Sequence, residues 1–185
     1  MFPWPLPKQL LSERDIEQIV GTLAGEITDR YRDCPRPLLV IGVLKGAFLF
    51  LADLTRRIAI PQEIDFIAVS SYGDAAVSSG QVRLSMDVST DIHGRDVLLV
   101  EDIVDTGVTI EAVRRLLAQK EPSSLAVCAL LSKPERRQVA TDIDFIGQEI
   151  ADVFVVGYGM DYAGDFRSLP YIGQIDPQHV RNEEQ

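Results

Sequence analysis

The stretch that decides the fold is Val97–Thr109, VLLVEDIVDTGVT. Val97, Leu98, Leu99 and Val100 form an apolar run suited to a strand buried on both faces of a parallel sheet. The run meets Glu101 and Asp102, two adjacent carboxylates, where the strand is expected to leave the core. A short loop, Asp105-Thr106-Gly107-Val108-Thr109, then leads into IEAVRRLLAQK. That segment places Ile110, Val113, Leu116 and Leu117 on one helical face and Lys120 near its C-terminal end. The expected order is strand, acidic pair, hydroxyl- and glycine-bearing loop, helix. In open α/β sheets ligands sit beyond the carboxyl ends of strands. A helix N-terminus with backbone N–H groups exposed suits a phosphate there.

The loop narrows the ligand. It has neither the GxxxxGK[ST] spacing of a P-loop nor a lysine, which disfavours a triphosphate held in the Walker manner. Thr106 and Thr109 offer hydroxyls, and Gly107 lets the backbone approach closely, as a single terminal phosphate requires. Glu101 and Asp102 would repel that phosphate but accept hydrogen bonds from a sugar diol. Taken alone, an acidic pair or an isolated DTG also reads as an ordinary solvated turn.

Working outward, the chain alternates strands and helices, the pattern of a parallel-sheet α/β domain. Ser12 and Asp15 form a candidate capping pair for a helix with Ile16, Ile19, Val20, Leu23, Ala24, Ile27 and Tyr31 on its apolar face. LLVIGVL (38–44) reads as a buried strand, Lys45-Gly46 as its turn, and AFLFLADLTRRI as the following helix. EIDFIAVSSYG is a further strand, and VRLSMDVS (82–89) alternates as a half-buried one. Between them, residues 70–80 read equally as a functional lid or as a plain hairpin. SLAVCALLSK is a buried strand ending at Lys133. The later runs IDFIGQEI and VFVVGYGMD, with the turn-rich DYAGDFRSLPYIGQI, suit a small subdomain over the sheet's carboxyl edge. Residues 1–185 are read as one domain, with a Pro-rich arm (1–11) and a polar tail (177–185).

Composition sets bounds. The charge of −10 argues against non-specific nucleic-acid binding, and a polyanionic substrate would need local cations or a divalent metal. Cys34 and Cys128 give no support to a disulfide framework or zinc site. His93 and His179 lack metal-ligand spacing and read as surface residues. The N-terminal MFPWPLPKQLL has three prolines and no basic start, which makes it a poor signal peptide and too short to span a membrane. A cytoplasmic enzyme is the expectation.

Five motifs occur in order: LKG, SSYG, VEDIVDTGVT, LLSKP and FVVGYGMDYAGDFRSLPYIG. Together, from about Ser12 to Asp176, they resemble the type I phosphoribosyltransferases, in the form typical of hypoxanthine–guanine enzymes. The resemblance implies a central, mostly parallel sheet flanked by helices, a small hood and a flexible lid. It implies that Glu101 and Asp102 hold the ribose hydroxyls of 5-phosphoribosyl-1-pyrophosphate, directly or through a metal. The loop Asp105, Thr106, Gly107, Val108 and Thr109 would cradle the 5′-phosphate, with Asp105 as acid/base at purine N7. Lys45, Gly46 and Arg167 would contact pyrophosphate, and the peptide after Leu44 can be cis in that family. Lys133 would address the purine O6, Phe154 would stack on the base, and Val155 would offer backbone hydrogen bonds. Asp161 would bind Mg2+, with Glu101 and Asp102 as further candidate ligands. Ser71-Tyr72 would head the lid. Val108 is an apolar residue at a position that varies among relatives.

The implied activity is purine salvage on small-molecule substrates, by a homo-oligomer (dimer or tetramer) without nucleic-acid or membrane partners. A nucleotide-sensing or RNA-binding regulator on the same fold is the alternative from another class; a xanthine- or guanine-preferring homologue is the alternative enzyme.

Overall fold

The computed structural model describes residues 6–71 and 82–176. Six strands form the main sheet: β2 (Leu38–Leu44), β3 (Gln62–Ser71), β4 (Val82–Met86), β5 (Asp96–Val104), β6 (Ser124–Ser132) and β7 (Phe145–Glu149). Their order is β4-β3-β2-β5-β6-β7, parallel except for β4, which pairs antiparallel at one edge. The centre of the sheet is β2 and β5, whose alternate residues feed two separate cores. Val40, Leu98 and Val100 face α1 (Glu13–Arg30) and α2 (Phe48–Thr55), whereas Ile41, Val97 and Leu99 face α3 (Val108–Ala118). Burial on both faces explains why these strands read as continuous apolar runs.

Helix α1 begins where the sequence places it. The Ser12 hydroxyl accepts from the Asp15 N–H while Asp15 accepts from the Ser12 N–H, a reciprocal capping box. Ile16, Val20, Leu23, Ala24 and Ile27 are buried beneath it.

Three expectations need correction. The strand β5 does not end before the acidic pair: it runs on to Val104, with Glu101 in register with Ala129 of β6. Glu101 and Asp102 are therefore inside the sheet, at 7% and 8% exposure. The strand read over 82–89 stops at Met86, since Asp65 accepts from the backbone N–H groups of Ser89 and Thr90 and draws the chain away from the ladder. IDFIGQEI joins the main sheet as its edge strand β7, instead of the hood. The last part of the Pro-rich arm, to which the sequence assigns no role, forms β1 (Lys8–Leu11). It pairs antiparallel with β9 (Ile172–Ile175), which in turn pairs with β8 (Phe154–Val156), giving a three-stranded hood.

The hood is seated on the sheet's carboxyl edge. Gly159 (φ +101) packs so closely on the Gly46 carbonyl that a Cβ there would collide with it. The Tyr158 hydroxyl donates to Asp53 Oδ2 at 2.7 Å, joining hood to α2.

Candidate active site

Between hood and sheet lies a cleft of about 470 Å³ whose lining includes Lys45, Asp102, Asp105, Lys133, Phe154 and Arg167, as well as Gly46, Val155 and Asp161. Each of these was singled out in the sequence, and the cleft draws them from β2, β5, β6, β8 and the turns before β9. A smaller adjoining cavity of about 70 Å³ is lined by Glu101, Asp105, Thr106, Gly107 and Thr109. A second, separate groove of about 450 Å³ lies on the other side of Tyr158, between α1, α2 and the hood. It holds none of the residues read in the sequence as catalytic or ligand-binding.

Local sequence shapes the small cavity. Gly107 is left-handed (φ +85) and precedes α3, which no side chain caps. Its Cα packs against Val139, Thr141 and Arg137, so that a Cβ would meet backbone and side chain at about 3 Å. Only glycine satisfies both demands. The Thr106 hydroxyl accepts from the Val108 N–H, and the Thr106 carbonyl accepts from Gln138 and Val139. Val108 itself opens α3 and is half-buried. The loop thus presents a helix N-terminus and hydroxyls to one small space.

Glu101 and Asp102 are less solvated than a turn would leave them. Burial pushes the Glu101 carboxyl well above its usual range, and the neighbouring Asp102 adds to that shift. Burial also raises Asp102, while a hydrogen bond with Glu101, backbone N–H groups and Arg167 act in the opposite direction. Glu101 Oε2 is buried with no hydrogen-bond partner among the described residues. Asp102 lies tight against Gly46, where a Cβ would strike its carboxylate. Glycine at that position lets the β2 turn and the β5 acid share the cleft floor. The Leu44–Lys45 peptide is cis.

The other end of the cleft is rich in paired charge. Lys133, which directly follows β6, is only 4% exposed. Its Nζ lies 3.7 Å from Asp105 Oδ2 and 4.0 Å from Asp152 Oδ1. Phe154, 41% exposed, meets Tyr162 edge-on with ring centroids 5.6 Å apart. Val155 is buried and pairs with Gln174 of β9. Arg167 pairs with Asp161 at 2.6 Å and donates to the Gly159 carbonyl, and Asp161 also accepts from the Gly164 N–H. Ser71 ends β3, and Tyr72 lies outside the described residues, as does most of the lid reading.

Two residues at this end, Arg136 and Arg137, escaped the sequence reading. Arg136 Nε lies 3.0 Å from Asp105 Oδ1, and its Nη1 lies 3.2 Å from Asp152 Oδ1. Arg137 donates to the Asp105 carbonyl and to Ser132 Oγ, tying the end of β5 to the end of β6. Their only signal was the basic pair that follows Lys133-Pro134, which reads equally as a solvated run.

A fold, a phosphate-sized loop at a sheet's carboxyl edge and a cleft beside it define a class, and the comparisons agree on it: residues 7–163 match the phosphoribosyl transferase domain family. The hypoxanthine phosphoribosyltransferase of Salmonella typhimurium is 45% identical over 166 residues, covering 90% of this chain and 93% of that protein. The hypoxanthine-guanine phosphoribosyltransferase of Mycobacterium avium is 46% identical over 182 residues, covering 96% and 90%. A crystal structure of a hypoxanthine phosphoribosyltransferase from Staphylococcus aureus superposes with a TM-score of 0.87 at 40% identity, covering 92% of each chain. The chain belongs to the hypoxanthine and hypoxanthine-guanine phosphoribosyltransferases of that family.

Proposed function

We propose that the protein is a purine-salvage transferase that moves the 5-phosphoribosyl group of 5-phosphoribosyl-1-pyrophosphate to N9 of hypoxanthine or guanine, giving IMP or GMP and pyrophosphate. The observation that carries the choice of base is the buried Lys133 ammonium 3.7 Å from Asp105 Oδ2, with the exposed Phe154 ring lining the same cleft. A buried ammonium has donors and no acceptor, so it suits the O6 of a 6-oxopurine and leaves the adenine amine unmatched. The base lies against Phe154 and hydrogen-bonds the Val155 backbone.

In the reaction N9 bonds to ribosyl C1 as the C1–O bond to pyrophosphate breaks, through an oxocarbenium-like state. Asp105 accepts the N7 proton as general base. Glu101 and Asp102 hold the ribose hydroxyls, which offers the unpartnered Glu101 Oε2 a donor. The loop 105–109 binds the 5′-phosphate, and Lys45, Gly46 and Arg167 bind pyrophosphate.

The residues present fit a magnesium ion. Asp161, Asp102 and Glu101 supply only oxygen, and among the described residues no group of three or more potential ligands forms a cage by itself. That matches an ion held by one or two carboxylates together with substrate oxygens and water. Asp161 would hold it, with Asp102 and Glu101 as the other candidates. Such an ion, when bound, neutralises charge on the pyrophosphate.

Among the described residues no helix is long and apolar enough to cross a membrane. We place the enzyme in the cytoplasm as a homo-oligomer, a state that sedimentation of the purified chain would report. The activity is tested by turnover with the phosphoribosyl donor and magnesium, offering hypoxanthine, guanine, xanthine and adenine in turn. Turnover of hypoxanthine or guanine, with little of adenine, is expected. Absence of turnover together with RNA retention on a filter would replace this reading with the regulator.

A further inference from the structure

We propose that Arg136 is a positioning residue for the base-binding step: it holds Asp105 so that one carboxylate oxygen, Oδ2, faces the purine edge beside Lys133. The inference rests on the transferase reading above and adds a residue to it.

The two oxygens of Asp105 have different surroundings. Oδ1 is buried, makes no directed hydrogen bond, and has the Arg136 Nε as its ionic neighbour at 3.0 Å. Oδ2 lies toward the Lys133 ammonium. Because Oδ1 lies buried beside the guanidinium, Oδ2 is the oxygen a ligand can reach. An acceptor at Oδ2 and a donor at Nζ, side by side, complement one purine edge: a proton on N7 next to the O6 acceptor. Rotation of the carboxylate would spoil that match, and the guanidinium opposes rotation by keeping Oδ1 on its side.

The chain has the means to keep Arg136 in place. Arg136 closes a single 3-10 turn, Pro134–Arg136, and its N–H donates to the Lys133 carbonyl at 3.2 Å. The residue that positions the acid therefore sits one turn beyond the lysine that reads O6. Asp152 supplies a second anchor, with Oδ1 3.2 Å from Arg136 Nη1. When the base engages Oδ2, Arg136 keeps both carboxylate partners. A surface ion pair alone would contribute little. Here the guanidinium is only about half exposed, and the pair borders the cleft itself.

The test pairs a residue change with a ligand change. Arg136→Ala and Arg136→Lys are assayed at saturating donor with hypoxanthine as substrate. The inhibition constant of 7-deazahypoxanthine, which keeps O6 but has carbon in place of N7, is measured on the same proteins. The expected result is a loss of about tenfold in kcat/KM for hypoxanthine in Arg136→Ala, the size of a charged hydrogen bond misplaced. Donor KM and the 7-deazahypoxanthine constant stay at wild-type values, and Arg136→Lys recovers part of the loss. Equal weakening of hypoxanthine and its 7-deaza analogue would overturn the proposal, because a merely structural residue cannot distinguish them. So would an unchanged kcat/KM in Arg136→Ala. A wild-type protein that turns over no 6-oxopurine would instead overturn the transferase reading.

Discussion

The two ends of the cleft solve opposite electrostatic problems. At the end proposed for the ribose Glu101 and Asp102 are buried in β5 and raised in pKa, and Glu101 Oε2 has no hydrogen-bond partner among the described residues. At the end proposed for the purine Asp105 and Asp152 are each within 4.0 Å of both Lys133 and Arg136. The first end is incomplete until a ligand brings donors; the second is already charge-balanced, and its ligand slots between existing partners. An uncompensated buried acid is costly to the fold. Its retention in the centre of a sheet points to binding, whereas paired charges at a rim point to orientation and selectivity.

The largest effect is expected from Asp105→Asn, since Asp105 touches both cavities. The amide cannot accept the N7 proton. Turnover should fall about a hundred- to ten-thousand-fold. Donor binding and melting temperature should persist. Near-normal steady-state turnover would remove Asp105 from the chemistry.

Lys133→Ala comes next and probes the purine end alone. Its loss leaves the O6 contact unmade, and a site that relies on one polar contact discriminates strongly through it. The preference for hypoxanthine over adenine should shrink by roughly a hundredfold while the 5′-phosphate loop is spared, the upper part of the range for losing a charged hydrogen bond. Competition kinetics with both bases decides the matter: an unaltered preference takes Lys133 out of the site.

How much of this was legible beforehand follows the same division. The ribose-phosphate end comes from one strand–loop–helix, so the nearness of Glu101, Thr106 and Gly107 was already implied by their spacing. The purine end joins the ends of β5 and β6 to the start of β8, and the contact of Arg136 with Asp105 spans 31 positions. The basic run after Lys133 carried no local sign of which side chain would turn inward. Depth in the sheet was also hidden. A change from apolar to acidic reads as an exit to solvent, yet the ladder to β6 carries Glu101 and Asp102 into the buried strand. The hood was half legible, because β1 completes it from the far end of the chain and four residues of a proline-rich arm carry no periodicity.

Glu101→Gln tests the ribose end, with a smaller effect on binding and an inverted one on stability. Loss of one charged acceptor should weaken the phosphoribosyl donor about tenfold, measured by calorimetry. The folded state holds the Glu101 proton more tightly than the unfolded chain, whose ordinary value is 4.5. Where the native state binds more protons, stability falls as pH rises. The contribution from Glu101 is therefore greatest below about 4.5 and is lost as pH climbs through the raised folded value. Glutamine cannot ionise, so the variant should melt higher at neutral pH and show a flatter pH dependence. A variant that melts lower at neutral pH would mean the carboxylate is compensated after all.

The smallest expected effect belongs to neither end but to the hinge of the comparison, the seam that sets hood against sheet. Tyr158 lies in the left-handed region (φ +48) between Gly157 and Gly159, and its buried ring carries the hydroxyl to Asp53. Burial and that carboxylate both push the phenol far above its usual pKa, so it remains a donor throughout the neutral range. Tyr158→Phe keeps the ring and the backbone geometry and deletes one hydrogen bond. Asp53 stays partly solvated and retains Arg56 at 3.4 Å, so it is not stranded. The loss should be about 1–2 kcal/mol. At about 2–4 °C per kcal/mol for a chain of this size, melting should drop by several degrees at most. The hood supplies Phe154 and Val155 while the sheet supplies Asp102 and Lys133. A loosened seam should therefore raise the KM for the base more than that for the donor, whose phosphate loop is built within the sheet layer. Equal increases in both would mean that the hood positions the whole cleft, and the division into two ends would fail.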